Sequence, residues 1–447
     1  MYWVYPRKPA CQDREFIHKK SEIIKKHKGI AREGGFVHQA MTDNNNGWEM
    51  VSGGVTAAQG FLAAGTAAGI KYKEKKDVAL IYSEVPARVA GMFTTNRVKA
   101  APLLLTMERA SRGWAQAVII NSGNANACNG KQGLQDAFSM GEEAARLLKI
   151  PREYALVAST GVIGQPMPME QILPGIATAA AALNKDGSGA AAEAIMTTDT
   201  EPKEAAVCFS LNGARITIGG MAKGSGMIHP NMATMLCFLT TDAGIAPGCL
   251  KDILRYAVDR SFNMITIDRD TSTNDMVLLL ANGKAGSREI TEESKEYYFF
   301  RENLTRVCTH LAKSLARDGE GATKMLEVQV INAPTEAGAR LAARAVAGSN
   351  LVKTAIFGED ANWGRILCAA GYSGAEFDPG QVDIFLNGIQ VAKSGCSLSF
   401  SENEALETLA ASTAQILIDL KTGSFNATAW GCDLTYDYVR INAHYRT

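Results

Sequence analysis

Strand-like and helix-like segments alternate evenly along the chain from Val51 onward, and this alternation constrains the fold more than any other feature. Short apolar runs predict buried strands at 78–82, 117–120, 214–219, 263–267, 276–281 and 325–331. Apolar residues at helical spacing predict helices over about 132–149, 170–183 and 291–316. Asn387-Gly388 supplies the positive φ angles of a tight turn, so 381–394 is predicted to be a hairpin. Residues 430–442 alternate as a strand does. Together these elements favour an α/β class, a layered α/β sandwich.

Residues 1–48 differ from the rest of the chain. They carry basic runs at 18–20 and 25–28 and a polar run at 43–46, with no apolar stretch of the kind a secretory signal needs. Acidic residues are interspersed, which is not typical of a transit peptide. We expect a disordered amino-terminal extension without a function of its own. The expected location is the cytoplasm, and import into an organelle by this extension stays open.

Composition excludes several functional classes. The 447 residues hold 46 Lys and Arg against 46 Asp and Glu, so no basic excess is available to hold nucleic acid. No apolar run reaches the ~18–20 residues that span a bilayer. Nine cysteines and six histidines are scattered without paired spacing, which predicts reduced thiols and no metal site. Nucleotide-binding, zinc-protease and serine-hydrolase motifs are absent from the sequence, and Asp268-x-Asp270 is predicted to form a turn rather than a cation pair.

The glycine-rich segment 219–236 is the most unusual part of the sequence. It contains one lysine and ends with Ala233-Thr234 before an apolar run, an arrangement that suits an internal N→O acyl shift followed by hydrolysis. Thr234 would then carry a free α-amino group, whose reference pKa near ~7.7–8.0 lets it take the proton of its own hydroxyl. From the residues alone an ordinary glycine-rich loop remains the alternative. His229 is expected to pack beside this loop rather than to act as a base.

Several further motifs occur in one order along the chain: 53–56 (GGVT), 93–96 (FTTN), 121–126 (NSGNAN), 159–164 (STGVIG), 196–200 (MTTDT), 270–275 (DTSTND), 318–323 (DGEGAT) and 362–365 (NWGR). With segment 219–236 they resemble the ornithine acetyltransferase (glutamate N-acetyltransferase) family of arginine biosynthesis, the ArgJ family. The resemblance extends from about Gly53 to Thr447.

This resemblance implies a layered α/β sandwich of the ArgJ/DmpA type that cleaves itself between Ala233 and Thr234. The products would be an α chain, 49–233 preceded by the extension 1–48, and a β chain, 234–447, which remain associated as two copies of each. Thr234 would be the nucleophile, with the Thr160 hydroxyl and the Gly161 N–H as the oxyanion hole. The implied substrate-binding residues are Thr197, Lys223, Thr234, Glu320, Asn442 and Thr447. Without the resemblance these positions have ordinary structural interpretations, such as a solvated lysine or a helix-end carboxylate.

The implied activity is acetyl transfer from N-acetylornithine to glutamate through an acetyl-threonine, with some relatives also using acetyl-CoA as donor. Lys223 suits a substrate carboxylate and Glu320 an ammonium. No metal or organic cofactor is implied, nor is a nucleic-acid or membrane partner. Two alternatives stay open: an N-terminal-nucleophile aminopeptidase or amidase that releases its acyl group to water, and a noncatalytic amino-acid-binding protein.

Overall fold

A computed structural model describes residues 47–229 and 235–444. The predicted extension 1–48 therefore lies almost wholly outside the described residues, as do Ala233, Thr234 and Thr447. The described strands are β1 Trp48–Met50, β2 Phe61–Thr66, β3 Val78–Phe93, β4 Trp114–Asn121, β5 Ala155–Ser159, β6 Lys203–Leu211, β7 Ala214–Lys223, β8 Leu236–Thr241, β9 Met276–Ala281, β10 Met325–Ala333, β11 Asp383–Leu386, β12 Ile389–Lys393, β13 Cys396–Ser397, β14 Thr413–Asp419 and β15 Phe425–Cys432.

The described α-helices are α1 Ala101–Ala110, α2 Gly130–Leu148, α3 Met169–Ala181, α4 Ser188–Ala194, α5 Pro247–Arg260, α6 Lys295–Arg317, α7 Glu336–Ala347, α8 Asn350–Phe357, α9 Trp363–Gly371, α10 Glu402–Leu409 and α11 Tyr436–Ala443. Side-chain caps set several helix starts. The Ser294 hydroxyl, for example, accepts from the Tyr297 N–H, so α6 begins after the turn at 291–294 rather than at 291. No helix in the described part of the chain is long and apolar enough to cross a membrane.

Two sheets organise these elements. The larger has nine strands in the order β1-β6-β7-β8-β9-β3-β4-β5, with β2 paired to β3. The smaller has six strands in the order β13-β12-β11-β14-β10-β15. Strands β8 and β9 are parallel neighbours near the middle of the larger sheet, and every residue in both is buried. This burial on both faces explains why the two strands appear in the sequence as continuous apolar runs instead of alternating ones.

Helices cover the sheets in layers. Helix α6 packs on β6 and β7 of the larger sheet and also contacts β10 and β15 of the smaller sheet, while α7 covers β10 and β15. One apolar core therefore includes side chains from both sheets and from α5 to α7. Helices α2 and α3 enclose a separate cluster against β3 and β4. The predicted layered α/β sandwich is confirmed, and most predicted strands and helices lie within a few residues of their observed bounds.

Two predicted strands are wrong. Residues 263–267 form a 3₁₀ turn at Phe262–Met264 followed by a buried connection, in which Thr266 N donates to Trp430 O. This run is apolar because it crosses the core. Of the predicted strand 430–442, only the part to Cys432 is a strand. Thr435 then caps helix α11 by accepting from Tyr438 N, and the apparent alternation beyond Cys432 belongs to an exposed helix with no buried residue.

Candidate active site

The ends of three strands meet at one edge of the larger sheet. Strand β7 ends at Lys223, which pairs with Leu236, the first residue of the antiparallel strand β8. Leu236 also pairs with Met276, the first residue of the parallel strand β9. The glycine-rich loop after β7, the residue before β8 and the loop before β9 therefore converge on a single region, because their strands are held in fixed register.

A fourth strand end adds the Thr160-Gly161 loop to this region. Strand β5 ends at Ser159, and the buried Asn274 amide just before β9 donates to Ser159 O at 2.9 Å and to Ala125 O at 2.6 Å. Gly161 has a φ of +133°, and a Cβ added there would lie 2.5 Å from Asn124 N. Only glycine fits this conformation without displacing the backbone. Asn274 thus ties the end of β5 to the start of β9.

A cavity of about 380 Å³ lies between these elements. Its lining includes six of the predicted site residues: Thr160, Gly161, Thr197, Lys223, Glu320 and Asn442. The remaining predicted residues, Ala233, Thr234 and Thr447, lie outside the described residues. Met235, which follows Thr234 in the chain, also lines this cavity. Residues that are distant in sequence are therefore brought together around one cavity, which Met235 also lines.

Lys223 is a buried cation of this cavity. Its Nζ donates to Thr197 Oγ1 at 2.8 Å and to Thr160 Oγ1 at 3.3 Å, and it lies 3.9 Å from Asp199 Oδ2. Burial lowers the pKa of Lys223, and the Asp199 carboxylate opposes that change. For Asp199, burial acts to raise the pKa, but the ammonium groups of Lys223 and Lys203 outweigh it and hold the pKa at about 2. Lys223 is thus an ion-paired residue of the cavity wall and not a solvated loop charge.

Glu320 supplies an anionic group to the same cavity. Its side chain is buried, and Asn442 of helix α11 donates its amide to Glu320 Oε2 at 2.7 Å. Gly226 leaves room for the carboxylate, because a Cβ added there would lie 2.5 Å from Glu320 Oε1. The cavity therefore presents an ammonium and a carboxylate, as a site for an amino acid requires.

His229 and Asp268 have structural contacts near the cavity. His229 Nδ1 lies 2.9 Å from Thr266 Oγ1 and its Nε2 lies 3.2 Å from Arg344. Burial and the charges of Arg344 and Arg269 lower the pKa of His229 to about 4, so the ring is neutral near pH 7. Asp268 accepts the backbone N–H groups of three residues, Met227, Ile228 and Asp270, which is the predicted turn role. Across the described residues no group of three or more side chains is arranged to hold a metal ion.

Sequence reasoning did not single out Asp199, Asn274 or Asp275. Asp275 lines the cavity, is 3% exposed, and has no hydrogen-bond partner for Oδ2 among the described residues. Burial raises its pKa well above the usual carboxyl range. All three residues lie in motifs noted in the sequence, MTTDT (196–200) and DTSTND (270–275), but a motif alone does not show which member faces a cavity.

A layered α/β fold with a buried lysine, a threonine hydroxyl and a carboxylate in one cavity defines a protein with a binding site for a small, charged molecule. The ArgJ family model matches residues 62–447, and the chain belongs to the ArgJ family. The chain is 58% identical over 401 residues to the arginine biosynthesis bifunctional protein ArgJ of Symbiobacterium thermophilum, an alignment that covers 89% of this chain and 100% of that protein. It is 54% identical over 403 residues to the protein of the same name from Caldanaerobacter subterraneus, with coverages of 89% and 100%. The predicted family and its role in arginine biosynthesis are confirmed.

Two solved structures are also similar. One is the arginine biosynthesis bifunctional protein ArgJ from Bacillus halodurans, at 48% identity and a TM-score of 0.45, covering 46% of this chain and 97% of that one. The other is an ornithine acetyltransferase from Mycobacterium tuberculosis in complex with ornithine, at 41% identity and a TM-score of 0.39, covering 42% of this chain and 100% of that one.

Proposed function

We propose that this enzyme moves an acetyl group from N-acetylornithine to glutamate through an acetyl ester on Thr234. The observation that carries this proposal is the cavity in which Lys223, Thr160, Gly161 and Glu320 meet beside Met235, the residue after Thr234. Family membership identifies arginine biosynthesis as the setting. The cavity supplies an ammonium for the substrate carboxylate and a carboxylate for the substrate ammonium.

Self-cleavage would create the nucleophile. The Thr234 hydroxyl attacks the Ala233 carbonyl carbon, the peptide C–N bond breaks, and the proton passes to the released nitrogen. Water then hydrolyses the resulting ester, which leaves a carboxyl group on Ala233 and both an α-amino group and a hydroxyl on Thr234. The new amine can accept the hydroxyl proton near neutral pH, so one residue provides both nucleophile and base.

Acetyl transfer would follow in two half-reactions. Thr234 Oγ attacks the acetyl carbonyl of N-acetylornithine, the amide C–N bond breaks, and the ornithine nitrogen takes the proton. The neutral amine of glutamate then attacks the ester carbonyl carbon, the ester C–O bond breaks, and an amine proton passes to Thr234 Oγ, which releases N-acetylglutamate and free Thr234. The carbonyl oxygen becomes negative in each addition, and the Thr160 hydroxyl and Gly161 N–H would stabilise it. Lys223 donates to Thr160 Oγ1, so the hydroxyl proton of Thr160 remains available for this oxyanion.

An acetyl-tracing assay tests this function against hydrolysis. N-acetylornithine labelled in the acetyl group, given with glutamate, is expected to yield labelled N-acetylglutamate and unlabelled ornithine in equal amounts. Without glutamate, one equivalent of ornithine per active site is expected, with the label retained on the β chain. Steady release of labelled acetate without an acceptor would instead indicate the aminopeptidase or amidase alternative. Binding without turnover of either kind would indicate the noncatalytic alternative.

The Glu320→Gln variant separates the donor from the acceptor. Glutamine keeps the size of Glu320 and can still accept the Asn442 amide, but it cannot pair with the ornithine ammonium. Loss of a hydrogen bond to a charged group costs about 1.5–3 kcal/mol, so we expect kcat/KM for N-acetylornithine to fall by about 10–100-fold. Glutamate has no distal ammonium, so kcat/KM for glutamate is expected to fall much less. Half-reaction kinetics measure both effects, and equal losses for the two substrates would contradict the assignment.

We further propose that the chain operates in the cytoplasm as an assembly of two α and two β chains, 49–233 and 234–447. Acetyl-CoA is proposed as a second acetyl donor, because the relatives from Symbiobacterium and Caldanaerobacter are named bifunctional. Neither donor requires a metal or organic cofactor in the scheme above, since the ester on Thr234 carries the acetyl group.

A further inference from the structure

Four side chains of alternating charge are connected by successive ion pairs, of which the first member lines the cavity and the other three do not. Lys223 Nζ lies 3.9 Å from Asp199 Oδ2, and Asp199 Oδ1 lies 2.9 Å from Lys203 Nζ. Lys203 Nζ in turn lies 2.5 Å from Asp318 Oδ2. We call these four residues the ion chain. It connects β7, the segment before β6, β6 itself and the end of α6.

The inner members of the ion chain are removed from solvent. The side chains of Asp199 and Lys203 are 0% and 1% exposed, and that of Asp318 is 6% exposed. Burying charges costs several kcal/mol per ion even after relaxation, and an ion pair is often no more stabilising than apolar side chains of the same volume. Fold stability is thus a weak reason for three buried charges at this place, and a role in the adjacent cavity is the better explanation.

Backbone contacts connect the ion chain to the cavity wall. Asp199 accepts the N–H of Gly224 at 2.6 Å and that of Thr197 at 3.1 Å. Asp318 accepts the N–H of Thr200 at 3.0 Å and also its hydroxyl. The carboxylates therefore fix both Lys223 and the residues next to it, Gly224 on one side and Thr197 on the other. Thr197 and Gly224 line the cavity themselves.

We propose that Asp199, Lys203 and Asp318 are positioning residues: Asp199 holds Lys223 against Thr160 and Thr197 and keeps its ammonium charged for the carboxylate of the substrate, while the Lys203–Asp318 pair fixes Asp199 and sets how strongly its charge acts on Lys223. This inference rests on the proposed function. Asp199 is the direct partner of Lys223. Asp199 also pairs with Lys203, and Asp318 is the second carboxylate that pairs with Lys203. None of the three lines the cavity, so they act through Lys223 and the backbone around it.

The charges facing Lys223 predict that two variants will change the pH at which it loses its proton in opposite directions. Asp199, Asp275 and Glu320 favour its charged form, whereas burial and Lys203 disfavour it. Asp199→Asn removes an attractive charge and leaves Lys203 paired with Asp318. The double variant Lys203→Gln/Asp318→Asn removes an ion pair whose net charge is zero, so Lys223 becomes the one cation of the ion chain that pairs with Asp199. The first variant makes Lys223 lose its proton at lower pH, and the second at higher pH.

The experiment is a pH profile of kcat/KM for the N-acetylornithine half-reaction with processed enzyme. Loss of the Lys223 charge produces the alkaline limb of this profile. An opposite charge within about 4–6 Å changes a pKa by about 1–3 units. The alkaline limb is therefore expected to shift to lower pH by that amount in Asp199→Asn. In the double variant it is expected to move up. Limbs that stay in place, or move in the same direction in both variants, would show that the ion chain only supports the fold.

A second measurement does not depend on catalysis. Lysine labelled with ¹³C at Cε reports the titration of Lys223 by NMR, with its signal assigned from the Lys223→Arg variant. The same two opposite changes are expected in this titration even if the enzyme proves to be a hydrolase or a binding protein. If Asp199→Asn fails to fold, Asp318→Asn takes its place. This variant leaves the charge of Lys203 without the Asp318 carboxylate, so the Lys223 ammonium is expected to lose its proton at lower pH as well. An unchanged titration in Asp318→Asn would overturn the proposal.

Discussion

The Thr234→Ala variant will remain one uncut polypeptide of 447 residues and will transfer no acetyl group. The wild-type chain is expected to appear as two polypeptides of 233 and 214 residues, with Thr234 at the new amino terminus. Alanine has no hydroxyl to attack the Ala233 carbonyl, so the ester cannot form and the peptide bond stays intact. Both the nucleophile and its amine base are then missing. Intact mass spectrometry and amino-terminal sequencing measure the cleavage, and the acetyl-tracing assay measures the activity.

Thr234→Ser is the matched control for this prediction. Serine retains a hydroxyl on the same carbon, so this variant is expected to cleave and to keep measurable acetyl transfer. Loss of cleavage in both variants would point to a folding defect, which a thermal melt would reveal. Two fragments from Thr234→Ala would contradict self-cleavage by this residue and indicate an external protease.

Much of the fold could be predicted from local patterns. The strand at 276–281 has the observed bounds of β9, and the helix over 170–183 differs from α3 by two residues or fewer at each end. The strand predictions for 263–267 and for most of 430–442 were wrong for a physical reason. A buried connection is as apolar as a strand, and a short exposed helix can alternate by chance. The 3₁₀ turn at Phe262–Met264 and the helix that Thr435 caps distinguish these cases in the folded structure.

The candidate site was predictable to a different extent. The resemblance named Lys223 and Glu320, and the structure places both in one cavity although 96 residues of sequence lie between them. It gave no indication of the ion chain. Asp199 and Lys203 are four residues apart and look like a solvated pair, whereas Asp318, which completes their charge balance, lies 115 residues beyond Lys203. Such pairing arises from the packing of α6 against β6, which no local pattern records.

The Thr160→Val variant will lower kcat of both half-reactions by about 10²–10³-fold, the usual cost of removing one oxyanion donor. Valine keeps the branched shape of threonine but has no hydroxyl, so neither the oxyanion nor Lys223 has its partner at this position. Thr160→Ser, which keeps the hydroxyl, is the matched control and is expected to stay close to wild type. Stopped-flow measurement of ornithine release gives the first half-reaction, and transfer to glutamate gives the second.

The two substrates make this prediction specific to the oxyanion. Lys223 loses only one of its hydrogen bonds in Thr160→Val, because Thr197 Oγ1 at 2.8 Å and Asp199 remain. KM is therefore expected to change little, while kcat falls for donor and acceptor alike, since both pass through a tetrahedral oxyanion at the same carbon. An increase in KM with kcat unchanged would instead assign Thr160 to ground-state binding through Lys223. The assay must use the processed fraction only, because a slower self-cleavage would otherwise lower the apparent kcat.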